Sequence, residues 1–184
     1  MHFFVQLAGE VVCLEQVGPE LRILLRLRRP DRIRPEGANM TYESIPPESA
    51  RELFQSDEAC VNIDVRTVEE FTEGHIPGAY NVPIAFAGPM GFTQNPDFAP
   101  VMERCFEKDK KLILLCKSGV RSVRACEMLA PLGFSQLINM EGGFHGARSM
   151  SGETVRGWAA CGFETAIESD AERTWAFLRE KSAS

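Results

Sequence analysis

The chain of 184 residues lacks the marks of several protein classes. No apolar run approaches membrane-spanning length, so no membrane partner is expected. The apolar opening "MHFFVQLAGEVVCL" has no Lys or Arg before its short apolar stretch, which argues against a secretory signal. Glu10 and the bulky valines of "EVVC" stand where a lipoprotein signal wants small residues. The six cysteines (Cys13, Cys60, Cys105, Cys116, Cys126 and Cys161) include no C-x-x-C pair. The three histidines, His2, His75 and His145, make no ligand spacing, so no metal is expected. An even cysteine count would allow a disulfide framework, but a chain able to bury a sizeable core does not need one. The thiols read as reduced, in a cytoplasmic compartment. A net charge of −6 argues against a nucleic-acid partner. Internal repeats and low-complexity tracts are absent.

What is present divides near Met40. Residues 1–39 carry a basic segment from Arg22 to Arg34, and "LRILLRLRR" alternates roughly with period two after a turn-like "VGPE". Three readings stay open for this extension. One is a two-stranded hairpin, which is marginal in isolation. Another is that Met40 is the true start, because "MTYESIPPESARELF" opens an ordinary domain. The third is a partner- or membrane-binding arm, which the interrupting Leu, Pro and Asp residues disfavour.

Beyond Met40 the pattern becomes regular. "PPESARELFQ" predicts a short helix with Pro46 or Pro47 near its start. "CVNIDV" (60–65) and "QLINM" (136–140) predict short buried strands, and "TVEEFTEG" a short helix ending at Gly74. "NPDFAPVMERCFEKDKK" places Phe98, Val101, Met102, Cys105 and Phe106 at helical spacing, with Asp97 as the cap. "KLILLC" (111–116) is a continuous apolar strand, as in a parallel sheet covered on both faces. Near the end, "SDAERTWAFL" offers a capping box of Ser169 with Glu172, then a stripe of Ala171, Trp175 and Leu178. Alternating strands and helices give an α/β class with a mainly parallel sheet, in which ligands bind beyond the carboxyl ends of the strands.

Cys116 stands at such an end, before a glycine-bearing loop and a helix whose polar side carries Arg121, Arg124 and Glu127. If Lys117, Ser118, Gly119, Val120, Arg121 and Ser122 curl around the sulfur, their N–H groups form an anion-binding concavity. The helix N-terminus adds partial positive charge, and Lys117 and Arg121 add formal charge. All of this favours the thiolate, the reactive form. The remaining cysteines after residue 40 lie in apolar strands or helices without such a loop and read as core thiols.

"IDVRTVEEFTEGHIPGAYNVPI" (63–84) and "LILLCKSGVRSVRACEMLAPLGFSQLINMEGGF" (112–144) together resemble the rhodanese domain of single-domain sulfurtransferases. The first segment is similar to the family's Asp-x-Arg, Glu-Phe and Gly-His-Ile-Pro-Gly-Ala pattern: Asp64, Arg66, Glu70, Phe71 and Gly74 to Ala79. The second is similar to its active-site loop, Cys116 to Arg121, followed by Gly133–Phe134 and Glu141–Gly143. The pattern beyond the two segments gives a C-terminal helix over 165–184. The resemblance itself, which runs from about Ile45 to Gly162, implies a five-stranded parallel sheet with helices on both faces, here a rhodanese domain over 40–164. It implies ping-pong transfer of sulfane sulfur without a cofactor: a Cys116 persulfide forms from a donor such as thiosulfate. It then passes sulfur to cyanide in an assay, or to a thiol or protein acceptor in cells. By resemblance Asp64 pairs with a loop Arg, Arg121, and Arg66 is a further supporting residue. His75 belongs to an element that is mostly architectural in the family.

One departure stands out. The family places a Trp soon after Gly-Gly, whereas here "FHGARSMSGETVR" intervenes and Trp158 and Gly162 are the displaced match. The insertion, 145–157, is expected to form a loop near the catalytic face. Two alternatives stay open: a persulfide carrier or interaction module with little free turnover, and a phosphatase or arsenate-reductase-like enzyme. The phosphatase pattern encloses five residues between Cys and Arg, whereas Cys116 and Arg121 enclose only Lys117 to Val120.

Overall fold

In a computed structural model, residues 2–7, 10–17, 20–23, 42–56, 59–148 and 152–183 are described. The chain divides into two compact units, Met1–Asn39 and Met40–Ser184. The first holds three strands, β1 (His2–Leu7), β2 (Glu10–Val17) and β3 (Glu20–Ile23), in one antiparallel sheet. The hairpin expected around "VGPE" corresponds to β2 and β3, with a third strand added in front. The basic segment from Arg26 to Arg34 lies outside the described residues, as does the side chain of Cys13.

The second unit is built on β4 (Tyr42–Ile45), β5 (Val61–Asp64), β6 (Tyr80–Asn81), β9 (Lys111–Leu115) and β10 (Gln136–Met140). Between β6 and β9 come the strands β7 (Ala85–Gly88) and β8 (Gly91–Gln94), which pair as a separate hairpin. The five main strands are all parallel, in the order β4-β10-β9-β5-β6. The central strand β9 alternates between two cores. Leu112 and Leu114 face one side, with α3 (Phe98–Cys105), α4 (Val120–Leu129) and α5 (Trp175–Ala183) packed over them through Phe98, Met102, Cys126, Leu129, Trp175 and Leu178. Ile113 and Leu115 face the other, under α1 (Pro47–Ser56) and α2 (Val68–Thr72) through Ala50 and Phe71. This double covering explains the uninterrupted apolar run: both side-chain directions are buried.

Two expected caps differ. Asp97 makes no side-chain cap; the buried Asn95 accepts the Asp97 N–H at 3.0 Å, and Asp97 pairs with Arg179 instead. Ser169 and Glu172 form no capping box. Residues Ala171–Arg173 make a 3-10 turn, and α5 starts only at Trp175, where Thr174 Oγ1 accepts the Phe177 N–H. Ala171 is exposed and leaves the stripe, while Trp175 and Leu178 stay buried in it. The insertion is a short antiparallel hairpin, β11 (Gly146–Arg148) with β12 (Thr154–Arg156). Among the described residues no helix is long and apolar enough to cross a membrane.

Candidate active site

Strand register brings the candidate residues together. Asp64, the last residue of β5, lies beside Leu115 of β9, and the Val65 N–H donates to Leu115 O at 2.9 Å. Cys116 follows directly and is 1% exposed. The chain then turns through Gly119, whose φ of 98° lies in the left-handed region that glycine adopts without a Cβ penalty. This turn sends the Gly119 N–H back to Cys116 Sγ at 3.1 Å. Ser122, buried on the first turn of α4, places its hydroxyl 3.6 Å from the same sulfur. Val120, Arg121 and Ser122 supply the first N–H groups of α4, which have no acceptor within the helix. The loop is therefore wrapped, with one main-chain donor already on the sulfur. Lys117 and Val120 are exposed at its rim.

A second glycine fixes the loop from behind. Gly143 follows β10 with a φ of 58°, and a Cβ there would lie 2.2 Å from Cys116 O. The next N–H groups hold the loop: Phe144 donates to Cys116 O at 2.7 Å and His145 to Lys117 O at 2.9 Å. The Glu-Gly-Gly element thus backs the main chain of Cys116 and Lys117. His145 is held below the usual histidine range, first by burial and then by the charges of Arg66 and Lys117.

The ion pairs differ from the expected arrangement. Asp64 is buried and pairs with Arg66, not with Arg121. Arg66 donates from Nη2 to Asp64 Oδ2 at 2.6 Å, from Nε at 3.0 Å, and from its main-chain N–H to Oδ1 at 3.0 Å. Nη2 also donates to Gly74 O at 2.7 Å, and the guanidinium stacks 4.2 Å from the Phe144 ring centroid. Burial pushes the Asp64 carboxyl above the usual aspartate range, against the pull of Arg66. Arg66 is fully buried, which excludes a solvated helix start.

The loop arginine has another partner, Glu70. Arg121 donates from Nη1 to Glu70 Oε2 at 2.7 Å and from Nη2 to Oε1 at 2.8 Å, a bidentate pair. Glu70 also closes a capping box on α2: its Oε2 accepts the Thr67 N–H, and its own N–H donates to Thr67 Oγ1. Burial pushes the Glu70 carboxyl up. The bonds from Arg121 and Thr67 and the charges of Arg121 and Arg66 outweigh that and hold it below the usual range. The sequence motif alone assigns Glu70 no role, although the Thr67-x-x-Glu70 spacing is a capping-box signal. His75 is architectural here: Nδ1 lies 2.9 Å from Phe71 O, and the ring stacks on Phe71.

The other cysteines with described side chains form no disulfide but are placed differently. Burial pushes the Cys126 thiol up to about 12 and raises Cys105, while Cys161 is raised by burial and by Glu48. No group of three or more His, Cys, Asp or Glu among the described residues could hold a metal ion.

Comparison with known proteins agrees with the fold. The Rhodanese-like domain family matches residues 46–149. The chain is 43% identical over 84 residues to rhodanese-like domain-containing protein 17 of Arabidopsis thaliana, covering 45% of this chain and 54% of that protein. It is 40% identical over 82 residues to the same plant's chloroplastic thiosulfate sulfurtransferase 16, covering 45% and 68%. It is 34% identical over 104 residues to the Bacillus subtilis protein YtwF, covering 56% and 88%. The chain spans about half to two thirds of the length of the two plant relatives. Among solved structures, an M. tuberculosis protein superposes with a TM-score of 0.56 at 27% identity, covering 68% of this chain and 98% of that one. A rhodanese-like domain from Anabaena gives 0.51 at 20% identity, covering 70% and 80%, which shows the fold alone.

Proposed function

The chain belongs to the rhodanese-like domain family, and on that premise we propose that it is a sulfurtransferase working through a persulfide on Cys116. The observation that carries this reading is the donor set at one sulfur. The Gly119 N–H already points at Sγ, and the free N–H groups at the start of α4 are available for a second sulfur atom. In the first half-reaction the thiolate attacks the outer sulfur of a donor such as thiosulfate. The donor's S–S bond breaks and sulfite leaves with the electron pair. In the second, an acceptor thiolate, or cyanide in an assay, attacks the outer sulfur of the persulfide. Cys116 then leaves as thiolate, ready for another cycle. Lys117, exposed beside the nucleophile, favours anionic donors by charge. Sulfurtransferase-named relatives from plants and from Allochromatium vinosum support the same class. Reduced thiols go with a reducing compartment such as the cytoplasm.

The test is thiosulfate treatment followed by peptide mass spectrometry. A mass gain of about 32 daltons is expected on the Cys116 peptide, the mark of covalent capture by the nucleophile. Cys116→Ala removes both the label and thiosulfate:cyanide turnover. A label without turnover assigns the carrier role, and a label on Cys126 or Cys60 overturns the site.

A further inference from the structure

The β7–β8 hairpin meets the core only at its first strand, where Ala85 packs on it and the Phe86 ring lies 6.1 Å from that of Trp175; Met90 and Phe92 are not among the residues of that core. Its residues 86–94 are exposed throughout, and Phe92 is 61% exposed. A two-stranded ribbon of this kind is marginal on its own. Its base is closed by Asn95, whose N–H donates to Ile84 O and whose Nδ2 donates to Pro83 O. Its second strand reaches the start of α4: Arg124 donates to Gln94 at 3.3 Å, and the Phe92 ring centroid lies 4.9 Å from Arg121 Cζ. Arg121 is thus gripped twice. Glu70 takes one N–H from each terminal nitrogen, and Phe92 covers the guanidinium with its ring. The other N–H groups of that guanidinium have no partner among the described residues. Arg121 stands between Gly119 and Ser122, whose N–H and hydroxyl reach Cys116 Sγ at 3.1 and 3.6 Å.

We propose that Phe92 is a positioning residue of the reactive site. Its ring holds the Arg121 guanidinium where an anionic reagent meets it on the approach to Cys116. The hairpin thereby sets a preference for negatively charged sulfur donors over neutral ones. The inference rests on Cys116 being the nucleophile of the proposed reaction, but its readout does not require sulfur transfer.

The test compares alkylation of Cys116 by iodoacetate, an anion, with alkylation by neutral iodoacetamide of similar shape. Both attack by the same thiolate, so the ratio of their rates cancels its abundance and reads the local field. Phe92→Leu should lower the iodoacetate-to-iodoacetamide ratio by about two- to fivefold, the worth of a cation–π contact at an exposed position. Phe92→Ser, which needs no packing partner, should lower it at least as far. Phe92→Tyr keeps the π-face and should keep the ratio. Met90→Ala, at the fully exposed hairpin tip, should also leave it unchanged. An unchanged ratio in Phe92→Leu and Phe92→Ser, an equal loss in Phe92→Tyr, or an equal loss in Met90→Ala overturns the proposal. With thiosulfate as donor, the Phe92→Leu loss should appear in KM and not in kcat. A protein whose alkylation ratio depends on Phe92 in this way but which never transfers sulfur sinks the sulfurtransferase reading and leaves the role of Phe92 standing.

Discussion

Ser122 Oγ has a single proton and three acceptors within reach: Asn139 Oδ1 at 2.7 Å, Gly119 O at 3.1 Å and Cys116 Sγ at 3.6 Å. Ionisation of Cys116 shifts the choice, because a charged acceptor makes the stronger hydrogen bond. Ser122→Ala should therefore slow sulfur transfer by about tenfold, the low end of what a hydrogen bond to a charged group contributes. It also leaves Asn139 Oδ1 without its donor, and a urea midpoint should register about 1–3 kcal/mol of lost stability. Unchanged turnover would remove Ser122 from the chemistry. The wrapped loop at Cys116 was legible in the sequence: an apolar strand stopping at a thiol, with Gly119 in the next turn. The partner of Asp64 was not. Arg66 and Arg121 have the same chemistry, and linear order does not say which guanidinium turns inward. The local turn after β5 decides it, folding Arg66 back onto a carboxylate two residues away while α4 carries Arg121 across to Glu70.

At the scale of elements, the loop after β9 and the turn after β10 are one construction. Gly143 has almost no space for a side chain, and its neighbours bond the carbonyls of Cys116 and Lys117. Gly143→Ala must push the loop forward. It should abolish transfer and cost about 1–3 kcal/mol from backbone strain alone, with the clash adding to it. Gly152 is the control: its φ is 83°, yet a Cβ there meets nothing within 4 Å. Gly152→Ala should show strain in a urea titration and no loss of turnover; equal losses in the two variants would refute the close-approach account. Strands β5, β9 and β10 and helices α1 and α4 were readable because burial imposes a pattern on them. The β7–β8 hairpin was not, since only its first strand touches the core, through Phe86 on Trp175, and its Phe92 answers to an arginine distant in sequence. Thr67–Glu70 and Ser169–Glu172 both match S/T-x-x-E, and of these two only Thr67–Glu70 is a capping box. At Ser169 the chain makes a 3-10 turn first, and Thr174 starts the helix instead. A four-residue motif holds no information about which of two nearby hydroxyl residues begins the helix.

For the whole molecule, the parallel sheet with helices on both faces leaves thiols on the inside, and this sets how stability depends on pH. Glu70 lies below its ordinary value in the folded state, so its contribution is present above the ordinary glutamate range and is lost as pH falls through its lowered value. Asp64, raised by burial, acts with the opposite sign in acid, so the acid side is a difference of opposing terms. The alkaline side is simpler. Cys126, Cys105 and Cys161 are all raised, with burial the leading cause in each, and Cys126 reaches about 12. Their contribution is fully present below the ordinary thiol value of 9.0 and is lost as pH rises through the folded values. In that window the unfolded chain has released protons that the folded chain still holds. For Cys126 alone the slope is about 1.4 kcal/mol per pH unit. Urea unfolding at pH 8, 9.5 and 10.5 should show the wild type losing stability more steeply than Cys126→Ala. The small cavity left by the substitution lowers the variant's stability equally at each pH, so the difference in slope isolates the thiol. Parallel slopes would mean that Cys126 ionises as readily in the folded protein as in the unfolded chain, and that α4 does not seal this face of the sheet against hydroxide.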